Sequence, residues 1–251
     1  MPEPWTFYLF AIPAVILIGL AKGGFSGLGA LGTPLLALAI DPVRGAAILL
    51  PILIVQDVIG VAAFRKSWDT RVLAIMLPSA IAGVALGWWF AASVSPQAIL
   101  TALGAISILF GLYRLGAERG SAPVAPPDSP SWVGLLLGVA TGFTSQIAHA
   151  GGPPFQMWVL PKRLARDVLV GTTAIFFFVL NWVKVPAFFA LGQFTEANAI
   201  AALTLLPVAI LSSLAGVWLV KRIATDRFYT IIYLLMIAAG ARLLLDGLGI
   251  A

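Results

Sequence analysis

Two stretches decide how this chain folds: GLAKGGFSGLGALGTP, Gly19–Pro34, and GVATGFTSQIAHAGGP, Gly138–Pro153. Each lies inside a long apolar run and is rich in residues that interrupt a helix. Gly151-Gly152-Pro153-Pro154 cannot continue a lipid-facing helix, because proline removes N–H donors and clashes with the preceding turn. Backbone freed in this way at membrane depth is tolerated only inside protein or beside a water-filled cavity. The two stretches also match each other. Gly19/Gly138, Gly23/Gly142, Ser26/Ser145, Gly32/Gly151 and Pro34/Pro153 coincide at one constant spacing. Downstream, Arg44 and Arg166 each open the next apolar segment, and with small gaps Gln56 falls opposite Asn181. Matches among leucines and valines carry no weight in so apolar a chain, but matched glycines, serines and prolines point to a duplication.

The rest of the sequence places these breaks in a bilayer. Of 251 residues, 61% are hydrophobic and 10% charged, with a mean hydropathy of +1.03. About a quarter of a soluble domain is charged, so this chain lacks the residues to coat itself in water. Apolar segments run over 5–40, 44–64, 71–92, 96–116, 131–161, 167–191, 196–220 and 227–248, and about 20 such residues cross a hydrocarbon core. The first segment has no basic leader and flows into the glycine-rich stretch, so it is expected to stay in the mature protein. There is no cysteine, which excludes disulfides and thiolate metal sites. The basic residues are scattered over short loops, so they orient the chain in the bilayer rather than bind nucleic acid. The Pro- and Ser-rich linker 118–130 separates a first repeat, 1–117, from a second, 131–251.

Loop charge then tests the topology. Arg65, Lys66 and Arg71 form one basic connection, Arg114 and Arg119 a second, and Lys162, Arg163 and Arg166 a third. Short Lys/Arg-rich loops favour the cytoplasm. A single crossing by 131–161 would place the second and third on opposite sides. The conflict disappears if this segment enters, breaks and returns to its starting side, and if 5–40 does the same. The expected fold is therefore an all-α polytopic membrane protein of two homologous halves. Each half has a glycine-broken, membrane-penetrating segment plus three transmembrane helices. Three crossings invert the second half relative to the first, a recurring plan of secondary transporters. A parallel arrangement of the halves is the alternative.

Chemistry is expected where the breaks meet. Free N–H groups and the positive dipole of a helix N-terminus suit an anion, and Ser26, Thr33, Thr144 and Ser145 can add hydroxyl donors. Lys22, Asp57, His149 and Lys184 are titratable groups inside apolar spans, where each charge costs about 2.5–3.5 kcal/mol unless paired or hydrated. Lys22 and Lys184 either neutralise a bound anion or snorkel to an interface. Asp57 either carries a proton or pairs with one of the lysines. His149, the only histidine, either carries a proton, binds, or simply hydrogen-bonds. Gln56 and Asn181 offer neutral donors. Gly83 and Gly87 read as close helix packing. Trp5, Trp68 and Trp132 fit an interfacial belt; Trp158 and Trp182 either line the cavity or, more simply, pack.

GLAKGGFSGLGALGTPLLAL followed by Arg44-Gly-Ala-Ala, repeated as GVATGFTSQIAHAGGPP with Arg166-Asp-Val-Leu-Val-Gly-Thr-Thr, resembles the TauE/SafE sulfite exporter family, also called the toluene-sulfonate uptake permeases. The resemblance covers essentially the whole chain. It implies a multi-pass carrier of the bacterial inner membrane, taking sulfite, sulfonates such as sulfoacetate, or other small organic anions, in either direction. Its first motif falls on Gly23, Gly24, Ser26, Gly27, Gly29 and Gly32. Its second falls on Gly142, Ser145, His149, Gly151, Gly152 and Pro153. The family's second motif is commonly richer in glycine, which marks Gln146 and His149 as substrate-specific departures.

Together these readings give an expected substrate site of Lys22, Gly23, Gly24, Ser26, Gly27, Gln56, Thr144, Ser145, Gln146, His149, Gly151, Gly152, Asn181 and Lys184, with Asp57 and His149 as proton-coupling candidates. No metal and no cofactor is expected; H+ or Na+ is the coupling ion. No catalytic set can be assembled from one histidine, no cysteine and few buried acids, and no GxxxxGK[ST] phosphate loop occurs, so an enzyme is not expected. An anion channel, or a carrier of small carboxylates, is the alternative.

Overall fold

The structure, a computed structural model, describes residues 4–23, 28–91, 93–118, 129–220 and 226–250. They form α1 (Trp5–Lys22), α2 (Gly29–Ala37), α3 (Pro42–Phe64), α4 (Thr70–Ala91), α5 (Pro96–Glu118), α6 (Ser131–Ala148), α7 (Gly152–Val159), α8 (Arg166–Ala190), α9 (Glu196–Val220) and α10 (Asp226–Gly247), with a 3-10 turn at Leu160–Lys162. No strand occurs among the described residues. Seven helices there, α1, α3, α4, α5, α6, α8 and α9, are long and apolar enough to cross a membrane. Large apolar side chains face outward along them, such as Trp89 and Phe189 at 81% and 76% exposure, as a lipid-facing surface requires. This is a multi-pass membrane protein. Trp5, Trp68 and Trp132 sit exposed at helix ends, where amphipathic rings meet the headgroups.

Both glycine-rich stretches break their helices and fold back. On α2, a side chain at Gly29 would meet Ala21, and one at Gly32 would meet Ile18 and Ala14 of α1. The pairing descends as the sequence rises, so α1 and α2 form an antiparallel hairpin. On the second break Gly151 abuts Thr141 and Ser145, and Trp158 covers Gly134. α7 therefore returns almost to the start of α6. The reason for the second break is local: Pro153 and Pro154 supply no N–H, and His149 ends α6 in the left-handed conformation (φ 49°, ψ 25°), which glycine normally takes. The N–H of His149 and that of Ala150 still donate to Ser145 and Thr144 carbonyls at 3.1 and 3.2 Å.

Small residues set the helix crossings. Gly19 of α1 and Gly23 at its C-terminal cap lie against Ser212 and Gly216 of α9, and Gly138 and Gly142 of α6 lie against Ser79 and Ala80 of α4. Both pairs of helices run parallel. The glycines that correspond in the sequence thus occupy corresponding crossings, where backbones approach too closely for a Cβ. Gly83 and Gly87 take the packing role expected of them, against Val139, Phe143 and Gln146.

Two further pairings, α5 with α10 and α3 with α8, run antiparallel. Gly104 and Gly111 of α5 meet Gly240 and Tyr233 of α10, and Gly60 of α3 meets Ala174 of α8, while Phe188 packs near the α3 start at Ala46 and Ala47. At one end of the molecule Gly171 abuts Ser67 and Thr172 accepts from the Asp69 N–H at 2.8 Å. The basic connections 65–71 and 162–166 therefore share one end. Arg44 donates to Asn198 at 3.2 Å at the other end.

Candidate functional site

The hairpins meet α3 and α8 around a buried polar cluster. Asp57 is fully buried on α3. Its Oδ1 accepts from Lys22 Nζ at 2.5 Å and its Oδ2 from Asn181 Nδ2 at 2.5 Å. One carboxylate thus joins the end of α1 to the middle of α8. Lys22 is 11% exposed at its side chain and also lies over the Phe177 ring at 5.1 Å; it pairs inward and does not snorkel.

Lys184, three residues beyond Asn181 and so on nearly the same helix face, makes a different set of contacts. It is fully buried. Its ammonium donates to the Ser145 carbonyl at 3.3 Å and hydroxyl at 3.1 Å, and reaches His149 Nδ1 at 2.7 Å. Every one of these partners is neutral. His149 Nε2 lies 2.8 Å from the Ala46 carbonyl, which can only accept, so Nε2 carries the proton and Nδ1 offers its lone pair to Lys184. The imidazole stacks on Phe188, with centroids 5.6 Å apart and planes at 9°. The left-handed turn at His149 is what aims this ring at α3.

A cavity of about 110 Å³ opens over the cluster, lined by polar Lys22, Ser145, His149, Asn181 and Lys184 and by apolar Leu53, Leu103, Phe155, Phe177 and Met236. That volume is well above the roughly 10–15 Å³ needed to hold one water, and leaves room for several waters or a small anion. It continues toward the basic end, between Val159 and Leu160 and the first turns of α8 at Leu169 and Val170. On the far side of His149, a cavity of about 30 Å³ is lined by Ala46, Val94, Gln146, Phe188 and Gln193. His149, its Ala46 bond and Phe188 separate the two.

Of the expected site residues, the structure brings Lys22, Ser145, His149, Gly152, Asn181 and Lys184 to the cavity, with Asp57 holding two of them. Gly152 leaves open space there: a Cβ would meet only Gln156 Nε2, at 3.8 Å. Others lie elsewhere. Gln56 donates to the Val15 and Ala209 carbonyls at 3.3 and 3.4 Å, tying α3 to α1 and α9, because its neighbour Asp57 takes the inward direction. Thr144 donates to the Ala140 carbonyl at 2.7 Å. Gly23 and Gly151 serve packing, and Gln146 lines the smaller cavity. Gly24, Ser26 and Gly27 fall outside the described residues. Trp158 is buried against Gly134 and lies under Lys162 at 3.8 Å, while Trp182 is half-exposed; neither lines the cavity. Thr33 and Ser107 also line it, and so does Gln156, whose Oε1 is buried without a partner. The only sequence signal for Gln156 was its place one turn beyond Gly152.

A family profile described as "Sulfite exporter TauE/SafE" matches residues 11–243. The chain belongs to the TauE/SafE sulfite exporter family. The match spans both hairpins and all the cluster residues, so this TauE/SafE protein is a membrane transporter by family. No curated protein and no solved structure matched the chain.

Proposed function

We propose that this protein is a secondary transporter that moves a small sulfur-containing anion, sulfite or an organosulfonate such as sulfoacetate, across the bacterial inner membrane by alternating access. One observation carries the reading. Lys184 is a fully buried cation whose partners are all neutral, at the floor of a cavity with room for a small anion. An uncompensated buried charge is costly, and a bound anion offsets that cost. The Ser145 hydroxyl hydrogen, two hydrogens of Lys22, the second amide hydrogen of Asn181 and the Gly152 N–H remain to donate to it.

The architecture supports the transport cycle. The equivalent helices α3 and α8 run antiparallel, as do α5 and α10, which favours inverted halves, 1–117 and 131–251, joined by a linker at 118–130. The shared end carrying Arg65, Lys66, Lys162 and Arg163 is then cytoplasmic, and the cavity that continues toward it is the inward-facing state. The His149–Ala46 bond and the Phe188 ring form the closed barrier on the opposite side. A cavity ending at such a barrier favours a carrier over a channel. We assign coupling to Asp57 or His149 with protons, with a sodium gradient as the alternative; flux driven by a pH step in sodium-free vesicles separates them.

The test is thermal stabilisation of the purified protein by sulfite, sulfate, sulfoacetate, taurine, acetate and chloride. A ligand at about 100 times its dissociation constant stabilises by about 2.7 kcal/mol, enough to move a melting curve. A shift with sulfite or a sulfonate, followed by saturable counterflow in vesicles, is the expected result. Ohmic conductance with no shift from any sulfur anion overturns the proposal.

A further inference from the structure

Among the described residues, four titratable side chains line or hold the central cavity. α1 contributes Lys22, α3 contributes Asp57, α6 contributes His149 and α8 contributes Lys184. α2 and α7 contain no charged residue, and the short connection 24–27 is Gly-Phe-Ser-Gly. On α5 and α10, Arg114 and Arg242 are engaged elsewhere, with Tyr233 at 3.0 Å and Asp246 at 3.0 Å. Lys22 and Asp57 cancel in their ion pair. With Lys184 as the cation of the proposed transport site, its 2.7 Å contact with His149 carries one positive charge, whichever of the two facing nitrogens holds the proton. The site therefore presents a single net positive charge, buried and without a counter-ion among the described residues.

From this we infer that the substrate is a monoanion, and that the Asp57 carboxylate sets this preference by cancelling the second lysine. The inference rests on the reading of this cavity as the transport site and narrows it to hydrogen sulfite and monosulfonates; sulfoacetate, with an ionised carboxylate beside its sulfonate, is a dianion and falls outside it. A monoanion brings the buried site to neutrality. A dianion leaves one uncompensated negative charge among Phe155, Phe177, Leu53 and Met236, and a neutral molecule leaves the cation as it was. Charge at such depth is expensive in either sign. The apolar part of the lining also fits a substrate with one anionic pole and a small carbon body better than an ion charged on every face.

Dimethyl sulfone, methanesulfonate and sulfate have nearly the same tetrahedral size and carry charges of 0, −1 and −2, so they isolate the charge. Dissociation constants for the three are measured by titration calorimetry on the purified full-length chain at constant ionic strength. Methanesulfonate is expected to bind the native protein at least tenfold tighter than the other two. Asp57→Asn, which raises the count by one, is expected to move the methanesulfonate-to-sulfate ratio at least tenfold toward sulfate. Lys184→Gln, which lowers it by one, is expected to abolish the methanesulfonate preference over dimethyl sulfone. Sulfate binding the native protein as tightly as methanesulfonate overturns the inference and leaves the transporter reading intact, as does an unchanged ratio in folded Asp57→Asn. If no anion binds the native protein, sulfite and sulfoacetate included, the transport site and the inference fall together. Should Asp57→Asn not fold, the native comparison and Lys184→Gln decide the matter.

Discussion

Replacing Lys184 by methionine separates a binding role from a structural one, because the two make opposite predictions for stability. An anion about 4 Å from the ammonium gains about 4 kcal/mol at an effective dielectric of 20. Each 1.4 kcal/mol is tenfold in affinity, so Lys184→Met should weaken anion binding by roughly 1,000-fold. Stability should change little or rise. The native cation is fully buried with neutral partners only, and exchanging buried ions for apolar groups of similar volume is often neutral or stabilising by 1–4 kcal/mol. Against this, Ser145 and His149 lose a donor, worth about 1–3 kcal/mol each if left unsatisfied, but both line the cavity and water can replace the ammonium. The assay is a melting curve in detergent with and without the anion that stabilises the native protein. A ligand-free melting point near the native value, with the ligand-induced shift gone, is the expected outcome. Retention of native affinity, or a ligand-free stability lowered by several kcal/mol, would refute the reasoning.

Lys22→Ala is expected to destabilise strongly, by about 3–5 kcal/mol, because it strands the buried Asp57 carboxylate; the double variant Lys22→Met/Asp57→Leu should recover most of that loss in the same melting assay. Gly142→Val should fail to yield monodisperse protein on size exclusion, since its side chain would overlap the Ala80 backbone of α4, where overpacking costs at least 1–3 kcal/mol. Gly152→Ala, which meets only Gln156 at 3.8 Å, should fold normally yet lower anion affinity, whereas Gly151→Ala, facing the Thr141 carbonyl at 2.8 Å and Ser145 at 2.9 Å, should lower the melting point. The chain has no native cysteine, so Thr173→Cys and Gln193→Cys can be probed with membrane-impermeant thiol reagents: Thr173→Cys should react from the cytoplasmic side and be protected by anion, and Gln193→Cys should react only from the opposite side.

Much of the architecture is written in the sequence because the bilayer permits so few solutions. Backbone must be satisfied within each segment in hydrocarbon, so apolar runs become helices and Gly-Gly-Pro-Pro becomes a break; α6, the break at 149–151 and α7 follow from residues 131–161 alone. The return of that segment to its own side was legible from Lys162, Arg163 and Arg166. Lys22, Ser145, His149, Gly152, Asn181 and Lys184 were legible as cavity residues because polar groups at depth need a reason.

What the sequence could not decide is which way each group faces and what it meets. Gln56 and Asp57 are adjacent, and about 100° of helix rotation separates a tie to α1 and α9 from a bridge between Lys22 and Asn181. Glycine likewise reads the same whether it clears a ligand or admits a neighbouring helix; only the crossings with α9 and α4 assign Gly23 and Gly142 to packing and leave Gly152 open to the cavity. The sequence by itself determined the helices, their breaks and the polar inventory, all set by local chemistry and membrane depth. The tertiary structure alone decided that Asp57 pairs with Lys22 and leaves Lys184 to Ser145 and His149, because an ion pair depends on distances between segments that no local pattern records.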